Sequence, residues 1–159
     1  MSFTLTSPAF DEGGHIPAEH TCDGKNTLPT LILSGAPAET VTYVLVMDDP
    51  DIPQEIKDVK GIERFDHLVL YNIPADVETV SAEVPYPSGL SSAGTTGYVG
   101  PCPPPELEPR EHRYVFRCYA LGVELSFGEP PTLGMVETKA KEHALASAIL
   151  TGRYARAGI

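Results

Sequence analysis

Two runs of consecutive apolar residues, VLVM at positions 44–47 and LVLY at positions 68–71, constrain the fold of this chain most. Adjacent residues of a β-strand point to opposite faces of a sheet, so strands of this kind have no polar face to turn toward water. Both of their faces must be covered by other parts of the protein. The two runs therefore predict central strands in a layered structure.

The prolines indicate how these strands are joined. The chain has 16 prolines in 159 residues, which is about twice the average usage. They occur in short clusters between apolar runs, as is typical of loops that connect strands. Segments rich in β-branched, aromatic and leucine residues predict strands at positions 2–6, 30–33, 41–47, 66–73 and 111–121. A mainly β protein with a sandwich of sheets is expected.

Two segments fall outside these strands. From Thr132 to about Thr151, apolar residues are spaced among lysines and glutamates, and Gly152 follows where a helix would end. We predict one amphipathic helix there. Between Pro53 and Asp66, the segment QEIKDVKGIERF has an apolar residue at every third position, and we interpret it as a packed loop or a single helical turn.

Length and charge limit the classes of function. A chain of 159 residues with 42% hydrophobic content is expected to form a single domain over positions 1–159. Its formal net charge of −11 would repel a nucleic acid, which is therefore not an expected partner. No basic segment followed by an apolar run opens the chain, and no window approaches the roughly 20 apolar residues of a membrane span. We expect a cytoplasmic protein.

The three cysteines are Cys22, Cys102 and Cys118. They form no Cys-x-x-Cys pair, and an odd count does not make a disulfide framework. Free or buried thiols are therefore expected, and a bridge between Cys22 and Cys102 is the alternative.

Polar clusters lie at the ends of the predicted strands, where loops on a rigid scaffold commonly carry function. In DDPDIP, directly after an apolar strand, Pro50 restricts the backbone between Asp49 and Asp51. Such residues also commonly cap turns. His67 opens a strand on the same face as Val69 and Tyr71 by period-two counting, where a histidine is more often an ordinary core residue.

Side chains of the predicted strand HRYVFRCYAL alternate between its two faces, so neighbouring residues can have different roles. His112 and Tyr114 share one face and can line a cavity, whereas Arg113 points to the other face. A bidentate ion pair of Arg113 with Asp49 or Asp51 is a further hypothesis. The loop GYVGPCPPP at positions 97–105 combines glycines, which permit close approach to a ligand, with prolines that stiffen it. This loop is either the wall of a pocket or a rigid connection between two strands.

Taken in order, six segments resemble the phosphatidylethanolamine-binding protein family, in particular its bacterial and archaeal branch similar to Raf kinase inhibitors. They are CDGKNTLP from Cys22, SGAP from Ser34, DDPDIP from Asp48, DHLVLYNIPA from Asp66, GYVGPCPPP from Gly97 and EHRYVFRCYAL from Glu111. The resemblance implies an antiparallel β-sandwich with Greek-key connections, a C-terminal helix near a pocket, and an anion site at one end.

Carried over by motif position, the resemblance assigns ligand-binding residues. They are Asp49, Asp51, His67, Gly100, Pro101, Cys102, His112 and Tyr114. Pro50 and Arg113 are assigned to position these residues without contacting the ligand themselves. No catalytic residue, metal or cofactor is expected.

The favoured hypothesis is a non-catalytic binding protein for a small phosphate-bearing or zwitterionic ligand such as phosphoethanolamine, with a kinase-modulating role. One alternative is an inhibitor of serine proteases or kinases that acts through its surface, and another is a metal-dependent hydrolase using Asp49, Asp51, His67 and His112. No Gly-x-Ser-x-Gly motif supports nucleophilic catalysis. Because relatives form dimers, a homodimer is a further open alternative.

Overall fold

The computed structural model describes residues 2–157, which form mostly strands with a few helices. The strands are β1 (Thr4–Thr6), β2 (Leu31–Ser34), β3 (Thr42–Asp49), β4 (Phe65–Pro74), β5 (Thr79–Val80), β6 (His112–Leu121) and β7 (Ala144–Tyr154). The helices are α1 (Gln54–Lys60) and α2 (Leu133–His143), with a 3-10 turn at Ala18–His20.

The strands form two antiparallel sheets, as expected for a sandwich. One sheet has the order β1-β2-β5 and the other the order β4-β3-β6-β7. One hydrophobic cluster, containing Leu45 and Leu68, lies between the sheets, and a second, containing Val46 and Val69, lies between the larger sheet and α2. Both faces of β3 and β4 are therefore covered, which confirms what their unbroken apolar runs predict. The Greek-key connections stay a prediction.

The predicted C-terminal helix is wrong over its second half. Helix α2 ends at His143, and the chain continues directly as β7, which pairs along the whole length of β6. Leu150 packs into the cluster between the sheets, whereas Leu145 and Ile149 are 45% and 57% exposed. Pairing with β6 therefore overrides the helical spacing of these apolar residues.

The segment after Pro53 is a helix of seven residues, so the interpretation as a loop or single turn is also wrong. Pro53 has φ −54° at the N-cap, where its missing N–H costs no helical hydrogen bond. Gly61 ends the helix in the left-handed region at φ 66°, which glycine adopts at little cost. These two residues explain where α1 begins and ends.

Cys22 and Cys102 form a disulfide, which corrects the expectation of free thiols for this pair. The two residues are 80 positions apart in sequence, yet folding brings their Cα atoms to 5.4 Å, a separation that a bridge spans. The Cys22 N–H also donates to the Pro101 carbonyl at 3.1 Å. Cys118 is a buried free thiol, as expected, and burial raises its pKa.

A buried ionic network fixes α2 on the outer face of the larger sheet. Arg117 of β6 donates to Glu137 of α2 at 2.6 Å and to Asp48 of β3 at 2.5 Å, and the Tyr119 hydroxyl donates to Glu137 at 2.7 Å. Burial by itself would raise the pKa of Glu137, but the hydrogen bonds from Arg117 and Tyr119 outweigh it and lower the pKa. Neither helix within residues 2–157 has the length and apolar character needed to span a membrane.

Candidate functional site

A hollow of about 190 Å³ lies at one end of the larger sheet. Because neighbouring strands are antiparallel, the end of β3 meets the starts of β4 and β6 there. Helix α1 and the loop at positions 99–104 complete the walls. Six residues predicted from the sequence line the hollow: Asp49, His67, Gly100, Cys102, His112 and Tyr114. The fold thus brings together residues that are up to 65 positions apart.

Asp49 and His112 form a buried pair at the base of this hollow. His112 Nδ1 lies 2.6 Å from Asp49 Oδ2, and His112 Nε2 donates to the Pro109 carbonyl at 2.9 Å. Both side chains are less than 5% exposed. The contacts with Asp49 and with the Pro109 carbonyl occupy both ring nitrogens of His112.

Asp51 and Arg113 form the bidentate pair that the alternation on β6 predicts. Asp51 Oδ1 accepts from Arg113 Nη2, and Asp51 Oδ2 accepts from Arg113 Nε and from its backbone N–H, each at 2.8 Å. The hydrogen bonds from Arg113 lower the pKa of Asp51. Neither residue lines the hollow. Their role in this geometry is to fix the turn after β3, since the Asp51 N–H also donates to Asp49 Oδ1 at 2.8 Å.

His67 reaches the hollow because of an irregularity in the sheet. Met47 pairs with Leu68 and Asp48 with Asp66, so His67 is an extra residue, a β-bulge, opposite β3. The bulge turns His67 away from the helix-facing cluster that contains Val69 and toward Tyr114, with ring centroids 5.3 Å apart. The period-two expectation that His67 shares a face with Val69 and Tyr71 is therefore wrong.

The hydrogen bonding of His67 fixes which nitrogen is available. Its Nδ1 donates to the Val99 carbonyl at 2.5 Å, and Nε2 has no hydrogen-bond partner among residues 2–157. The ring is 4% exposed. Burial lowers its pKa, against smaller opposing effects of the Val99 bond and the Asp49 charge. His67 thus presents Nε2 as a lone-pair acceptor when the ring is neutral.

The Tyr114 hydroxyl is the most unusual group of the site. It is fully buried and makes no hydrogen bond of acceptable geometry within the described part of the chain. Burial, followed by the nearby Asp49 charge, raises the pKa of this phenol, and the closeness of the Asp49 carboxylate to the hydroxyl adds to the shift, so the phenol stays protonated and able to donate. Burying a hydroxyl without a partner costs about 1–3 kcal/mol.

The loop at the rim is held tightly. A side chain at Gly100 would meet Asn26 Oδ1 at 2.0 Å and the His20 carbonyl at 2.7 Å, so only glycine fits. Cys102 is tied to Cys22 by the disulfide. Pro101 and Pro50, both assigned by motif position, lie outside the lining of the hollow.

The apolar wall of the hollow and Lys60 were not predicted from the sequence. The additional lining residues are Ile52, Pro53, Ile56, Lys60, Phe65, Val99, Pro103 and Pro104. Ile56 and Lys60 lie four positions apart on α1, which puts them on the same face of that helix. The boundaries of α1 at Pro53 and Gly61 are the signal that could have identified this pair.

A larger open depression of about 680 Å³ lies at the opposite end of β3, next to Thr40 and Tyr43. It contains no histidine, and the Tyr43 hydroxyl donates to the Ala75 carbonyl at 3.3 Å. The smaller hollow is the better candidate because it concentrates buried polar rings. Within residues 2–157, no three His, Cys, Asp or Glu side chains are grouped so as to hold a metal ion.

Comparisons with known proteins identify the family of this chain. The family model described as "Phosphatidylethanolamine-binding protein" matches residues 6–155. A UPF0098 protein of Methanothermobacter thermautotrophicus is 36% identical, over 96% of this chain and 98% of the relative.

Two solved structures have the same fold. A putative phosphatidylethanolamine-binding protein homolog of Chlamydia trachomatis, CT736, superposes with a TM-score of 0.88 at 34% identity, covering 98% of this chain and 99% of that one. YbcL of Escherichia coli, described as a new member of the mammalian PEBP family, gives a TM-score of 0.85 at 25% identity, covering 99% and 100%. The chain therefore belongs to the phosphatidylethanolamine-binding protein family.

Proposed function

We propose that this chain is a non-catalytic binding protein whose hollow receives a small molecule through a phosphate-like anionic group. The observation that carries the proposal is the Tyr114 hydroxyl, a buried donor without a partner in residues 2–157 that lines the same hollow as His67. A phosphate oxygen would satisfy this donor and remove the cost of burying it.

The other groups of the hollow complement a singly protonated phosphate. Such a group has oxygens that accept from Tyr114 and one P–OH that donates to the free His67 Nε2. Lys60 supplies a positive charge at the exposed edge of the hollow. Asp49 is already hydrogen-bonded to His112 and to the Asp51 N–H, so both of its oxygens have partners within the protein.

The same contacts favour binding over catalysis. Both ring nitrogens of His112 are engaged, so this histidine does not present a free base. The Cys118 thiol is buried in the core cluster, and its pKa is raised, which disfavours the nucleophilic thiolate.

Isothermal titration calorimetry with inorganic phosphate tests the proposal. We expect the unsubstituted protein to bind one phosphate, and Tyr114→Phe to bind it about tenfold more weakly or worse, since a hydrogen bond to a charged group contributes about 1.5–3 kcal/mol. Tyr114→Phe should not lower thermal stability, because the hydroxyl it removes makes no hydrogen bond of acceptable geometry within residues 2–157.

Tyr43→Phe is the matched control, since it removes a buried phenol hydroxyl at the far end of β3. It should leave phosphate affinity unchanged. Absence of phosphate binding, or equal affinities for the unsubstituted protein and Tyr114→Phe, would overturn the proposed function.

A further inference from the structure

The wall of the hollow between its polar floor and solvent is apolar. Side chains from two parts of the chain form it: Ile52, Pro53 and Ile56 at and before α1, and Pro103 and Pro104 in the rim loop. Ile52 is 8% exposed and Ile56 half-buried. A ligand group lying against this wall would lose its contact with water without gaining a hydrogen bond from these side chains, so the wall favours an uncharged apolar group.

Asp49 and Asp51, the two carboxylates of the turn after β3, already have hydrogen-bond partners on both oxygens. Asp49 Oδ2 is bonded to His112 and Asp49 Oδ1 accepts from the Asp51 N–H. Asp51 receives three hydrogen bonds from Arg113 and does not line the hollow. Of the two, only Asp49 lines the hollow, and an ammonium group on a ligand would have to share its oxygens with these donors.

Among residues 2–157, Lys60 is the only lysine or arginine that lines the hollow, and its charge adds to this preference. Lys60 lies one helical turn beyond Ile56 on α1, so it is next to the apolar wall. It would repel a ligand ammonium at that position and attract the phosphate of the same ligand. The charge of Lys60 thus disfavours binding of the zwitterionic ligand that was expected from the sequence.

We infer that the ligands of this hollow are phosphate monoesters with a short, uncharged and apolar ester group. The phosphate lies against Tyr114 and His67, and the ester group lies against Ile52, Ile56 and Pro103. This inference rests on the proposed function, since it assigns the remainder of a molecule whose phosphate the floor binds.

Calorimetry on the full chain with its disulfide intact tests this inference. The probes are inorganic phosphate, the series from methyl to butyl phosphate, and phosphoethanolamine. We expect Kd to fall about fourfold for each added methylene until the hollow is full. Propyl phosphate and phosphoethanolamine have nearly the same shape, and we expect the second to bind at least tenfold more weakly.

Two variants on α1 localise the ester group. Ile56→Ser should reduce both the affinity for butyl phosphate and the gain in affinity from methyl to butyl phosphate. Val59→Ser is the matched control, because Val59 is on the same helix but is 86% exposed and does not line the hollow. It should change neither quantity.

The outcomes separate the two proposals. If inorganic phosphate binds but the alkyl series is flat, or phosphoethanolamine equals propyl phosphate, the inference about the ester group is wrong and the proposed function stands. If neither inorganic phosphate nor any ester binds, both are wrong. The ligand series uses the unsubstituted protein, so it decides the question even if Ile56→Ser fails to fold.

Discussion

Replacing Cys22 and Cys102 with serine should cost the protein a large part of its stability. The bridge closes a loop of 80 residues, and loop-closure entropy for that length corresponds to about 4.5 kcal/mol at 25 °C. Both cysteines are exposed, so the two serine hydroxyls can reach water and add no burial cost of their own. Since domains of this kind are stable by about 5–15 kcal/mol in total, the double variant should be markedly less stable but still folded.

Urea denaturation followed by circular dichroism measures this loss. With a slope of about 2 kcal/mol/M, the midpoint should fall by about 2 M urea relative to the unsubstituted protein. Adding a dithiol reductant to the unsubstituted protein should produce the same midpoint as the double variant, and adding it to the variant should change nothing. A loss under about 1 kcal/mol, or a reductant effect that persists in the double variant, would refute the reasoning.

Three further predictions follow from the site and the ionic network. Burial lowers the pKa of His67 and keeps the ring neutral, so methyl phosphate should bind as its monoanion. The affinity for methyl phosphate should therefore fall up to about tenfold per pH unit above the second pKa of this ligand, which is about 6. Equal affinities at pH 7 and pH 8 by calorimetry would contradict this. His112→Phe leaves Asp49 buried without its partner and should cost about 3–5 kcal/mol in urea denaturation, so a loss below about 1 kcal/mol would contradict the role of the pair. Glu137 has a pKa lowered from its ordinary value of 4.5, so its contribution to stability is present above that value and is lost as pH falls through the folded pKa. Glu137→Gln should therefore lose less stability than the unsubstituted protein between pH 5 and pH 3, and parallel curves would show that Glu137 makes no such contribution.

Alternation along a regular strand was enough to predict part of the site. On β6, His112 and Tyr114 face the hollow and Arg113 faces Asp51, as period two requires. These contacts depend only on which side of the strand each residue occupies. The order of segments along the chain then identified the family, and the family implied the fold.

The position of His67 could not be predicted because it depends on a bulge. The register shift between Met47 and Asp48 is set by pairing with another strand and leaves no mark in the sequence of β4. The apolar wall of the hollow was missed for a related reason. Ile56 and Lys60 acquire a common face only once Gln54–Lys60 is known to be helical.

The second half of the expected C-terminal helix shows how tertiary pairing decides an ambiguous segment. The residues from Ala144 to Leu150 contain no charge and satisfy a helical spacing and a strand alternation equally well. Pairing with β6 selected the strand. The single domain, the cytoplasmic location, the homodimer and a kinase or protease partner stay predictions, since they concern features outside these contacts.

The most direct test of the account is an electron-density map of crystals grown with phosphate. We predict phosphate in the hollow, with one oxygen within about 3 Å of the Tyr114 hydroxyl and another at the same distance from His67 Nε2. A hollow without phosphate at saturating concentration, or a Tyr114 hydroxyl bonded instead to Asp49, would contradict the account.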